Sequence, residues 1–91
     1  MNTQIVQDLL RKQEEKGNAD SHIDSLRALR REVRQLISDL RLDGSERDNF
    51  DTFAEEVDIM MAQRAKRSRQ LAFDIGQAVY DASQDERERN G

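Results

Sequence analysis

The chain has 91 residues, 35% of them hydrophobic, 37% charged and 4% aromatic, with no proline, cysteine or tryptophan and a formal net charge of −4. That length makes one domain, residues 1–91, near the small end of what folds alone, and the lack of cysteine excludes a disulfide framework and thiolate chemistry. Many charges with few aromatics suit long helices or a coiled coil better than a sheet.

The apolar runs are too short to span a membrane, so no membrane contact is expected. The opening Met1-Asn2-Thr3-Gln4 lacks the basic and apolar regions of a secretory leader, which points to a cytoplasmic location.

Asn2 or Thr3 can cap a first short helix, about 3–16, whose apolar residues Ile5, Val6, Leu9 and Leu10 form a patch two turns long. Gly17-Asn18-Ala19-Asp20 reads as a stop and a turn, with Gly17 the natural residue just past the helix end. Ser21-His22-Ile23-Asp24 resembles a capping box with Asp in place of Glu or Gln, opening a second helix over about 21–42. In it Leu26, Leu29, Val33, Leu36 and Leu40 recur at steps of 3, 4, 3 and 4, as at heptad a and d positions, and Ile23 and Ile37 widen the seam.

Asp43-Gly44-Ser45 makes a short connection. Gly44 can end the second helix, and Ser45 with Asp48 can cap the next, so the two helices are expected to run antiparallel. The long helix starts at 46 or 50 and reaches 83. Ala54, Val57, Met61, Ala65, Ser68, Ala72, Ile75 and Val79 form one stripe along it with no charge in the row. From residue 50 to 83 it would be a rod of roughly 50 Å, which cannot bury itself. Residues 85–91 hold no apolar side chain and are expected to fray.

The predicted fold is therefore all-α: an antiparallel helical hairpin plus a short N-terminal helix, as a three-helix or a dimeric bundle. The N-terminal helix either runs in line with the second helix, against the far half of the long one, or folds back. The apolar positions exceed what two short helices cover, which favours a homodimer.

Charge is segregated along the chain. Residues 43–58 hold seven acids against Arg47, residues 25–42 hold five arginines against Glu32 and Asp39, and residues 62–73 hold Arg64, Lys66, Arg67 and Arg69 with no acid. In an antiparallel hairpin the arginine flank of the second helix meets Asp51, Glu55 and Asp58. Arg34 then lies near Glu55 or Asp58, and Arg41 near Asp48 or Asp51. Arg27, Arg30 and Arg31 are left near the four bases of 64–69 as a positive belt. The belt reads as a solvated girdle partly neutralised by Asp20 and Asp24, as an anchor for an acidic protein surface, or as phosphate contacts for nucleic acid. Net acidity, the spread of these bases around the helix and the want of interleaved aromatics weigh against nucleic acid.

His22 is the only histidine, so no histidine-based metal set or proton relay can form, and a structural or solvated role is expected. Asp43, Ser45, Arg47 and Asn49 mimic the odd spacing of a calcium loop, but Arg47 is a cation at a ligand position and position twelve is Ala54. Neighbouring carboxylates such as Glu14-Glu15 and Glu55-Glu56 point to different sides of a helix. Ser21, Ser45 and Ser83 fit caps and turns. No catalytic residue, metal ligand or cofactor is expected.

On the back of the long helix, Ile59, Phe73 and Tyr80 share one line, with Gly76 between the two aromatics. Either the first helix covers this line as ordinary core, or the glycine notch and its aromatics anchor another molecule. The candidate partner-binding residues are thus Ile59, Phe73, Gly76 and Tyr80 with Arg27, Arg31, Arg64, Lys66, Arg67 and Arg69. The expected function is a non-enzymatic protein–protein interaction module, a small helical adaptor or inhibitor docking on a larger protein. The alternatives are a nucleic-acid or nucleoprotein-associated factor using the belt, and a structural subunit of a larger assembly.

Overall fold

The computed structural model describes residues 3–90, apart from the side chains at 86 and 88–90. Asn2, a candidate cap, and Gly91 lie outside the described residues; α2 runs past residue 83, where it was expected to end, into the segment expected to fray. The fold is all-helical: α1 spans Thr3–Asp39 and α2 spans Gly44–Asn90. The two pack side by side as a hairpin 70 Å long and only 15 × 14 Å across. The length is that of α2 itself, since 47 residues at ~1.5 Å each span about 70 Å.

The expected break at Gly17–Asp20 does not occur: α1 runs through it, and the in-line placement of the N-terminal segment is realised as one continuous helix. Glycine and asparagine inside a helix cost roughly 1 kcal/mol or less each relative to alanine. Against that cost, Ala19 is buried, 4% exposed, and the Asp20 carboxylate accepts a hydrogen bond from the Ser68 hydroxyl at 2.6 Å. A turn here would lose both. Ser21-His22-Ile23-Asp24 accordingly lies in the helix interior and opens nothing.

The chain reverses in residues 40–43. Arg41 takes the left-handed conformation, φ 50°, its N–H bonds to the Ser38 carbonyl and the Leu42 N–H to the Ile37 carbonyl. This is a Schellman ending, normally completed by glycine at the left-handed position. Gly44, the expected terminator, also has positive φ but stands at the head of α2.

The seam differs from the expected one in a systematic way. On α1 the inward rows are Leu9, Lys16, Ile23, Arg30, Ile37 and Lys12, Ala19, Leu26, Val33. On α2 they are Ala54, Met61, Ser68, Ile75, Ala82 and Phe50, Val57, Leu71, Ala78, with Arg64 exposed in the second row and Ala65 half-buried beside it. Every row advances by seven residues, the step of a left-handed coiled coil. The Asp20–Ser68 bond and an Arg30–Asp58 ion pair at 2.8 Å set a register in which Val33 lies opposite Ala54 and Ala19 opposite Ser68.

Leu26 and Val33 thus hold their expected places, but Leu29, Leu36 and Leu40 are 38%, 44% and 61% exposed. Continued toward the N-terminus, the line of Leu29 and Leu36 would put His22, Glu15 and Asp8 into the seam. The line of Ile23 and Ile37 puts only Lys16 beside Leu9, and a lysine can carry its charge to the edge on an apolar stem. On α2 the same seven-residue step replaces Ala72 and Val79, both exposed, by Leu71, Ala78 and Ala82.

Candidate interaction surfaces

A two-helix rod leaves each helix with a seam, two flanks and an outer face, and this sequence gives the two flanks opposite chemistry. One flank is a charge zipper. Arg30 reaches Asp58, while Arg34, Arg41, Arg47 and Asp51 line a groove with Ile37, Ser38 and Leu42 beside the turn. The expected meeting of the α1 arginines with the α2 acids is realised in one ion pair, made by Arg30, which was expected in the belt, rather than by Arg34; Arg34 and Arg41 only share the groove with Asp51. Half-exposed pairs of this kind contribute ~0–1 kcal/mol each, so their weight lies in fixing which flank meets which.

Further from the turn the same flank carries the polar part of the seam. Lys16 Nζ stands 2.8 Å from Asp20 Oδ2, and Asp20 Oδ1 accepts from Ser68 Oγ. Ser68 sits in the seam, 8% exposed, where any shift of one helix along the other would strand its hydroxyl. A single polar core position of this sort fixes register in coiled coils. The bonds from Lys16 and Ser68, with the Lys16 charge, hold the Asp20 carboxyl below its ordinary value of 3.8, against a smaller upward push from burial. A carboxylate depressed in the fold stabilises it above the unfolded pKa, and that contribution is lost as pH falls through the lower, folded pKa. Ser68→Ala should therefore shrink the difference in stability between pH 7 and pH 3. Equal pH dependence of the two proteins in urea titrations would show that the bond does not bias the carboxyl.

The other flank is apolar near the turn. Leu29 and Leu36 of α1 stand beside the seam there with Phe53 and Met60 of α2, at 42% and 45% exposure, and Leu40 caps the row. Two shallow grooves open on this side, one lined by Val33, Asn49, Phe50 and Phe53, the other by His22, Ser25, Leu26, Met60 and Arg64. Toward the open end the flank turns polar, and Arg67 pairs with Glu15 at 2.8 Å. Phe53 and Met60 had no part in the expected site. The signal for them is the seven-residue step itself, which puts both on the Leu29/Leu36 side.

The outer face of α2 carries the aromatic line. Ile59, Phe73 and Tyr80 are 58%, 67% and 60% exposed, so α1 does not cover them. Gly76 is open as well, with nothing within 4 Å of where a Cβ would stand, and it borders a groove with Gln13, Gly17 and Ala72.

The basic residues are not brought onto one face. By heptad position Arg27, Arg31 and Arg69 lie on the zipper flank, Lys66 on the outer face of α2, and Arg64 and Arg67 toward the leucine flank. Arg27 also leans on Asp24 at 3.7 Å. Arg31, Arg64, Lys66 and Arg69 make no ion pair among the described residues.

His22 is exposed on the leucine flank. Among the described residues no three His, Cys, Asp or Glu side chains are placed to hold a metal ion, and no helix is long and apolar enough to cross a membrane. No protein-family model, curated protein or solved structure matches the chain.

Proposed function

We propose that this chain is a non-enzymatic interaction module, a small helical adaptor or inhibitor that works in the cytoplasm by docking on a larger protein. One observation carries the reading: Ile59, Phe73 and Tyr80 line the outer face of α2 in water, with the open Gly76 between the aromatics. Large side chains exposed in a row contribute nothing to their own hairpin, yet aromatics clustered on a small patch are the usual anchors of interfaces. The cations Lys66 and Arg69 on and beside that face, without an ion pair among the described residues, suit an acidic rim on the partner.

The test is recovery of partners on the tagged full chain from its native host, with and without nuclease, alongside Phe73→Ala/Tyr80→Ala. The double variant is expected to melt as the wild type does and to bind the recovered protein roughly 30-fold more weakly or worse, the loss of one strong anchor. Unchanged recovery by the double variant would sink the proposal, as would loss of every partner on nuclease treatment.

A further inference from the structure

We propose that the leucine flank of the turn half is a self-association surface, through which two copies of this chain form an antiparallel four-helix bundle. This surface excludes the outer-face aromatics and stands independently of the docking reading above.

The pattern of apolar positions comes first. A helix of a two-stranded coil needs apolar residues only on its two seam rows, whereas a helix in a bundle needs a third row on one flank. Near the turn the third row exists on both helices: Leu29 and Leu36 on α1, Phe53 and Met60 on α2. Toward the open end the same row reads Asp8 and Glu15 on α1, and Asp74 and Asp81 on α2. On this flank the third row is apolar only in the turn half; beyond it the exposed apolar residues, Val6 and Val79, stand on the other flank. On the opposite flank the turn half presents Arg34, Arg41 and Asp51 around a groove and the Arg30–Asp58 pair, so the third apolar row is missing there.

Area points the same way. The chain exposes 7136 Å², whereas a compact chain of 10.6 kDa exposes about 5,500 Å². Leu29, Leu36, Leu40, Phe53 and Met60 are each 38–61% exposed. At roughly 200 Å² per large side chain they present on the order of 450 Å² of apolar surface. Joining two such patches with their rims reaches the roughly 1,000 Å² that a specific interface needs.

Charge selects the second copy and its direction. The patch is bracketed on α2 by Glu46 toward the turn and by Arg64 toward the middle, and neither has an ion-pair partner among the described residues. A two-fold axis across the rods, midway between these residues, sets each α2 against the other α2 with direction reversed. Arg64 of each copy then faces Glu46 of the other, and the axis passes between Phe53 and Met60, through the middle of the apolar patch. The open ends point in opposite directions. A parallel pairing would bring Asp8 to Asp81 and leave Arg64 and Glu46 of the two copies about 27 Å apart along the rods.

Sedimentation equilibrium of the full chain reads this directly. Wild type is expected at twice 10.6 kDa, and Leu36→Glu/Phe53→Glu at the single mass, with its helical circular-dichroism signal retained in the cold because neither side chain is in the seam. Arg64→Glu alone and Glu46→Arg alone should each weaken the dimer about tenfold or more, and the two together should restore it. A wild type that stays at the single mass at the highest soluble concentration overturns the proposal. So does a dimer indifferent to Leu36→Glu/Phe53→Glu, or a charge swap that fails to restore association.

Discussion

Leu71→Ala is expected to destabilise the hairpin by about 3 kcal/mol, within the usual range for truncating a buried leucine, while Ala72→Gln one residue on changes stability by no more than about 0.5 kcal/mol. Leu71 is 1% exposed in the seam of α2, in the layer that faces Lys16 of α1, so truncating it leaves a cavity there. Ala72 lies on the flank, exposed, and glutamine is a good helix former with room to extend. For a domain of this size the first substitution corresponds to a fall of roughly 10–25 °C in melting temperature. Thermal melts followed by circular dichroism separate the cases. A larger loss from Ala72→Gln than from Leu71→Ala would mean that the seam follows the 3.6-residue drift of a straight helix through Ala72 and Val79.

That contrast also shows where the sequence is a sufficient guide. Helix content, a short reversal and the antiparallel sense were legible from heptad spacing and the segregated charges of 25–42 and 43–58, but the reversal falls at 40–43 with Arg41 as its left-handed residue, not at 43–45 with Gly44. The seam was not. Over 21–42 alone, Leu26, Leu29, Val33, Leu36 and Leu40 make a better apolar row than Ile23, Leu26, Arg30, Val33 and Ile37. Only when α1 is continued to Leu9 does the second row win, and a helix broken at Gly17 hides that continuation. Arg30 misleads further, since a cation looks out of place in a seam until Asp58 receives it at 2.8 Å. The outer-face line of Ile59, Phe73 and Tyr80 was visible from spacing, but whether α1 covered it depended on the same misplaced helix break. The leucine flank was hidden because Leu29, Leu36 and Leu40 were assigned to the core, while Phe53 and Met60 were assigned to neither core nor site.

Gly17 gives the sharpest test of the continuous helix, because the two readings predict opposite signs. As a residue just past a helix end, in left-handed conformation, it would resent a side chain, and Gly17→Ala would destabilise. Inside α1 it lies in ordinary helix, and a Cβ there meets nothing within 4 Å. Alanine should then stabilise by roughly 1 kcal/mol, through helix propensity and a less disordered unfolded chain. Gly17→Pro should do the reverse on a larger scale. The ring removes the N–H that bonds to the Gln13 carbonyl and collides with that carbonyl, at ~3 kcal/mol or more. Because the kink would fall between Glu15 and Asp20, it should also uncouple the Arg67–Glu15 pair from the Ser68–Asp20 bond, which now hold the same stretch of α2. Hydrogen exchange in Gly17→Pro is thus expected to lose protection from about residue 3 to 16 and from the facing part of α2, with residues 25–60 still protected. A proline tolerated at 17 with protection intact on both sides would restore the turn and the separate N-terminal helix.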